Sequence, residues 1–170
     1  MDEKAFKKEV LITYEYSYLH DDWVQPLGEA LEGITAEEAV WRAGPESKGI
    51  WEIVLHLAVW AENIIERIQT RQHCRPIEGA WPSLPEVRND ATWAVAQKRL
   101  WDALNRLRVF MEENSLDTLN SGPYGLGDLL CRFTHNGYHI GQIVKMRELR
   151  DAGVISGGGP APAITEPPED

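Results

Sequence analysis

The chain has 170 residues, 43% of them hydrophobic, and 27 acidic residues against 17 Lys and Arg give it a formal charge of −10. That length suits one domain whose core needs no disulfide or structural metal. The acidic balance argues against a nucleic-acid or anionic-membrane surface, which needs clustered Lys and Arg, so neither nucleic acid nor membrane is an expected partner.

The opening stretch MDEKAFKKEV has no apolar segment of the secretory-signal kind. No apolar run approaches the roughly 18 residues of a membrane span. The two cysteines, Cys74 and Cys131, form no CxxC pair and demand no oxidising compartment. A soluble cytoplasmic protein is expected.

The first helical pattern covers Glu3 to about Leu31, divisible into two pieces. Asp22-Trp23-Val24-Gln25 has the form of a capping box opening the second piece, with Pro26 in its first turn and Gly33 ending it. Thr35-Ala36-Glu37-Glu38 is another capping box, starting a short turn that carries Trp41. Ser47, in the loop GPESKG, is placed to cap a second long helix from about Lys48 to Arg71. A loop from about Gln72 to Arg88 holds Cys74 and Trp81. The third long helix spans about Asn89 to Glu113, with an alternative start at the capping box Ser83–Glu86. A fourth runs from about Leu126 to Asp151 and stops at Gly153. The Gly- and Pro-rich acidic segment 154–170 cannot bury enough apolar surface to order alone, so disorder or docking on a partner subunit is expected. Four long helices over residues 1–153, with a connection between the second and third long enough to cross, predict an all-α four-helix bundle.

Helical residues step by about 100°, so His135 and His139 in HNGYHIGQI share one stripe with Asp128, Cys131, Gln142 and Met146. Leu129, Phe133, Ile140 and Val144 form a separate apolar stripe, and Gly137 with Gly141 would allow another helix backbone close. Two imidazoles at this spacing can hold one divalent ion; the plain alternative is two solvated or hydrogen-bonded histidines. On the second long helix His56 shares a stripe with Glu52, Asn63 and Arg67, opposite the apolar Val54, Ala58, Ala61 and Ile65. Periodicity alone leaves His56 exposed, and it joins a metal site only if its stripe faces a polar cleft. His20, beside Asp21 and Asp22, reads as a surface or capping cluster or as the border of a cleft; His73 has no assigned role. The seven tryptophans are expected mainly in core and interface packing, with one or two walling a pocket.

WRAGPESKGIWEIVLHLAVWAE, followed some eighty residues later by HNGYHIGQIVKMREL, resembles the DinB/YfiT-like family of proposed metalloenzymes. The resemblance spans most of residues 10–150. It implies a four-helix bundle with a long crossover between helices 2 and 3. It also implies a metal site of His56, His135 and His139, one ligand from the second helix and two from the fourth. The ion would be Zn, Ni or Fe, with copper also compatible with nitrogen ligands. From the chemistry of such a site, Gln142 and Glu52 are candidates to support the ligands, and Cys131 reads as a small buried thiol, with a fourth ligand as the alternative.

The function so implied is a divalent-metal-dependent enzyme of thiol S-transferase or hydrolase type, with a small-molecule substrate, a low-molecular-weight thiol as co-reactant and a role in stress response. The other function class is a non-catalytic dimeric helical module, whose Trp-rich apolar face pairs with its copy while the metal site is vestigial or absent. A homodimer is expected in either case.

Overall fold

The computed structural model describes residues 2–153; the tail 154–170 lies outside the described residues. All regular structure among the described residues is helical: α1 (Glu3–Tyr16), α2 (Leu27–Leu31), α3 (Ala36–Ala39), α4 (Ile50–Thr70), α5 (Asp90–Glu113), α6 (Leu116–Leu119) and α7 (Gly125–Asp151). Among the described residues no helix is long and apolar enough to cross a membrane.

The helix ends follow from local chemistry. Asp2 caps α1 by accepting from Ala5 N at 2.7 Å. Thr35 and Glu38 form the expected reciprocal box around α3, with bonds of 3.3 and 2.8 Å. Asn89 starts α5 by accepting from Thr92 N at 3.0 Å, and the alternative start at Ser83 is not used. Gly33 and Gly153 follow α2 and α7 with φ of +72° and +64°, the left-handed stops their positions suggested.

Two expected caps are displaced. Asp22 does not open a helix, because Gln25 precedes Pro26 and the proline ring disfavours the α conformation there. Residues 21–24 form bends instead, and Pro26 becomes the N-cap of α2. Ser47 does not cap α4 either; Gly49 does, and the Glu52 carboxylate accepts from its N–H at 2.9 Å. A Cβ at residue 49 would lie 3.0 Å from the Ala39 carbonyl oxygen and 3.1 Å from that of Trp41, so the close approach of the α3 turn requires glycine.

The helix α4 is the centre of the fold. It packs against α5 and α7, while α1 closes over both of those and α3 rests on α4 and α5. Every residue from Ile50 to Val59 is buried, the polar ones included. Trp51 meets Trp93 with ring centroids 5.2 Å apart, and the Trp93 indole N–H donates to the Ile34 carbonyl at 2.8 Å. Leu100, Leu104, Leu107 and Met111 of α5 and Leu129 and Ile140 of α7 complete the core, each fully buried.

The polar stripe of α4 faces the segment that leads into it, the connection 71–89 and α7 rather than water. Each of its members has a partner. Glu52 meets Arg42 at 2.7 Å and Lys48 at 3.3 Å. Asn63 donates to the Cys74 sulfur at 3.4 Å. Arg67 bonds Asp128 at 3.0 Å and the Cys74 carbonyl at 2.9 Å. Arg67 with Asp128, and His56 with His135, show α4 and α7 running antiparallel in a defined register.

Glu52 is thus committed to the α4 N-terminus and Arg42, not to the histidines. Both partners are buried, so Glu52→Ala strands the Arg42 guanidinium and should lower the unfolding free energy by about 3–5 kcal/mol in urea denaturation. Because its role is structural, Glu52→Gln should retain the metal affinity of the unaltered chain.

Candidate metal centre

His56 projects from the buried half of α4, and His135 and His139 project one turn apart from the facing side of α7. His56 Nε2 lies 2.9 Å from His135 Nε2, and His139 Nε2 lies 3.1 Å from the same atom. The three ligand atoms all fall within 4.8 Å of one another. Imidazole nitrogens bound about 2.0–2.1 Å from one ion stand about 2.9–3.4 Å apart for octahedral to tetrahedral angles, so the observed spacing fits a shared ion.

The tautomers make this spacing informative. His56 Nδ1 is 2.6 Å from the Ala80 carbonyl oxygen. A carbonyl only accepts, so Nδ1 carries the proton and Nε2 presents a bare lone pair. His139 Nδ1 is 2.7 Å from Gln142 Oε1, whose amide nitrogen donates to the Tyr138 hydroxyl at 2.9 Å. That arrangement likewise turns the His139 Nε2 lone pair inward. Both lone pairs face one nitrogen of His135. A neutral His135 can donate a single proton to one of them, which leaves the other opposed to an acceptor. A cation at the meeting point satisfies all three nitrogens.

Burial keeps the cluster neutral and ready to ligate. It pulls His56 down to about 4, partly opposed by the bond to Ala80. It pulls His135 down to about 3, helped by the charge of Arg132. His139 is lowered by burial as well, against its bond to Gln142. The Trp81 ring covers His56 in a stacked contact, centroids 3.9 Å apart, and Trp60 meets its edge at 6.3 Å. Tyr138 packs edge-on to His139 at 5.0 Å. His135 is the one member of the cluster that is not fully buried, so the cluster lies nearest to solvent on its side.

Comparison with family models, with curated proteins and with solved structures finds no match for this chain. The centre therefore rests on its own geometry.

The structure brings His56, His135 and His139 together. His56 is 6% exposed, against the exposure its helical periodicity suggested. The correction has a physical cause: the loop residues Ala80 and Trp81 roof that stripe, and α7 covers the rest. Gln142 supports a ligand as expected; Glu52 does not. Cys131 is an exposed free thiol rather than a buried one, and is not part of the cluster. His20 is exposed beside Glu15, at 3.8 Å, and His73 is exposed against the Tyr124 ring. Gly137 admits the Val24 side chain, 3.2 Å from the position a Cβ would take, rather than a helix backbone, and Gly141 faces open space. Trp23, expected within a helix, is 93% exposed in a bend.

Sequence reasoning missed the Ala80 carbonyl, which no side-chain pattern signals. It also passed over Arg132, one turn before His135 on the same face of α7, a spacing that could have revealed it.

Two outcomes are expected. Unfolded histidines titrate near 6.5, above the folded values, so between about pH 6.5 and 5 the unfolded chain binds more protons. Stability of the metal-free protein should therefore fall as pH is lowered through that window. Urea midpoints at several pH values should show a shallower fall for His135→Gln. Separately, Gln142→Leu removes the acceptor of the His139 Nδ1 proton and should weaken metal binding about 10- to 100-fold in competition with a chelator.

Proposed function

We propose that this chain is a DinB-like, divalent-metal-dependent enzyme acting on a small molecule, of thiol-transferase type before hydrolase type. The observation that carries it is the convergence of the His56 and His139 lone pairs on His135 Nε2, at 2.9 and 3.1 Å. The four longer helices α1, α4, α5 and α7 support the bundle reading, with residues 71–89 as the crossover between the second and third of them.

Three neutral imidazoles leave coordination positions open, and a divalent ion there supplies Lewis acidity that lowers the pKa of a water or thiol. The protein's own part is orientation and exclusion. The Ala80 carbonyl and Gln142 hold protons on the outer nitrogens of His56 and His139, keeping their inner nitrogens free to ligate. Trp81 and Trp60 keep water from the His56 face. No carboxylate belongs to the cluster among the described residues. That favours a low-molecular-weight thiol as the nucleophile, because a thiol titrates near 8.5 and free water about 15.7, so the thiol asks a smaller shift of the ion in a cluster that holds no carboxylate base. All-nitrogen ligation accommodates zinc, nickel or iron. A homodimer and a stress-related role belong to the same proposal through the family resemblance.

Native metal analysis should find about one ion per chain, and His135→Ala should abolish stoichiometric retention. The metal-loaded protein should then transfer a low-molecular-weight thiol to an electrophilic substrate, followed by thiol consumption, and the variant should not. Metal retention with no reaction toward thiol-acceptor or ester substrates would favour the non-catalytic binding module.

A further inference from the structure

Trp60 lies between two arginines. The Arg67 guanidinium carbon is 5.2 Å from its ring centroid and that of Arg132 is 5.0 Å away. The two differ in one respect. Arg67 is neutralised by Asp128 and also bonds the Cys74 carbonyl. Arg132 makes no hydrogen bond or ion pair among the described residues, and its Nε and Nη1 atoms are buried without a partner. A guanidinium offers five donors and no acceptor, so a half-buried cation has two of its nitrogens without a protein partner.

Its position places those donors beside the histidine cluster. Arg132 is three residues before His135 on α7 and so projects from the same face. It shares the Trp60 ring with His56. Both Arg132 and His135 are partly exposed, whereas His56 and His139 are buried. The carboxylate nearest along the helix, Asp128, is taken by Arg67. With a divalent ion held by three neutral imidazoles, an unpaired arginine alongside and no carboxylate in the cluster, the site would be locally cationic inside an acidic protein of net charge −10. The missing countercharge is supplied by whatever binds.

We propose that Arg132 anchors an oxyanion of the substrate, a carboxylate or a phosphate group, beside the three histidines. This rests on the metal-centre proposal above and specifies its substrate class: a small anionic molecule whose charged group lies on the Arg132 side while its reacting atom faces the histidines. Arg132 binds substrate and does not ligate. Its removal therefore acts on anion and metal in opposite senses, since the guanidinium repels a divalent ion as it attracts an anion.

The test uses cobalt(II)-loaded and metal-free protein, with phosphate and acetate as probes, followed by calorimetry and by the visible cobalt spectrum. The unaltered protein should bind at least one probe, and the tighter of the two identifies the group. Arg132→Gln should weaken that binding about ten- to a hundredfold while holding cobalt as tightly or more tightly. Arg132→Lys, which keeps the charge, should restore much of the loss. An Arg132→Gln protein that binds the probes within twofold of the unaltered chain overturns the proposal. So does one that loses cobalt and anion together, the mark of a merely structural arginine. If the unaltered chain takes up no cobalt, the metal-centre proposal fails by itself. The metal-free arm then still decides the arginine's role: dependence of probe binding on Arg132 supports it, and independence or no binding overturns it.

Discussion

The bond between His56 Nδ1 and the Ala80 carbonyl is the constraint on which the candidate centre depends. It joins α4 to the connection 71–89 at 2.6 Å and fixes which ring nitrogen of a buried histidine is protonated. With that tautomer set, the inner nitrogen can only accept. The same is true of His139 by way of Gln142. Two acceptors then meet a third nitrogen on a neighbouring helix, a geometry that neutral side chains cannot fully satisfy among themselves. The fold holds this frustrated arrangement in place because its core packing elsewhere is extensive, with α4 buried along its entire first half.

Holding the cluster requires register between α4 and α7. The Arg67–Asp128 pair, its arginine buried, supplies a second point of contact about three turns away from His56 along α4. Breaking such a pair costs far more than forming it yields, because the stranded charge remains buried. The pair therefore resists slippage of one helix along the other, which would separate the histidines. Charged residues buried between helices here serve placement rather than net stability.

Much of this was legible in the sequence. His135 and His139 are four apart on one helix, and any helical reading puts them on one face. The caps at Thr35 and Asn89 and the stops at Gly33 and Gly153 follow from residue chemistry at single positions. His56 was harder. Its stripe with Glu52, Asn63 and Arg67 has the polarity of a solvated face, and what covers it comes from Ala80, Trp81 and α7, distant in sequence. Periodicity reports what a helix carries, not what lies over it. The Asp22 box failed for a local reason: Pro26 disfavours the helical conformation at Gln25 that the box requires. The Ala80 carbonyl was invisible because backbone groups have no sequence signature.

The stack of Trp81 on His56 carries a photophysical consequence. An excited indole in face contact with an imidazole, 3.9 Å between ring centroids, is sensitive to the electron demand of that ring. Protonation raises the demand, and so does attachment to an electron-poor partner; each dims the emitted light. One of the seven tryptophans of the chain thus reports on the state of a candidate ligand, read without any added dye.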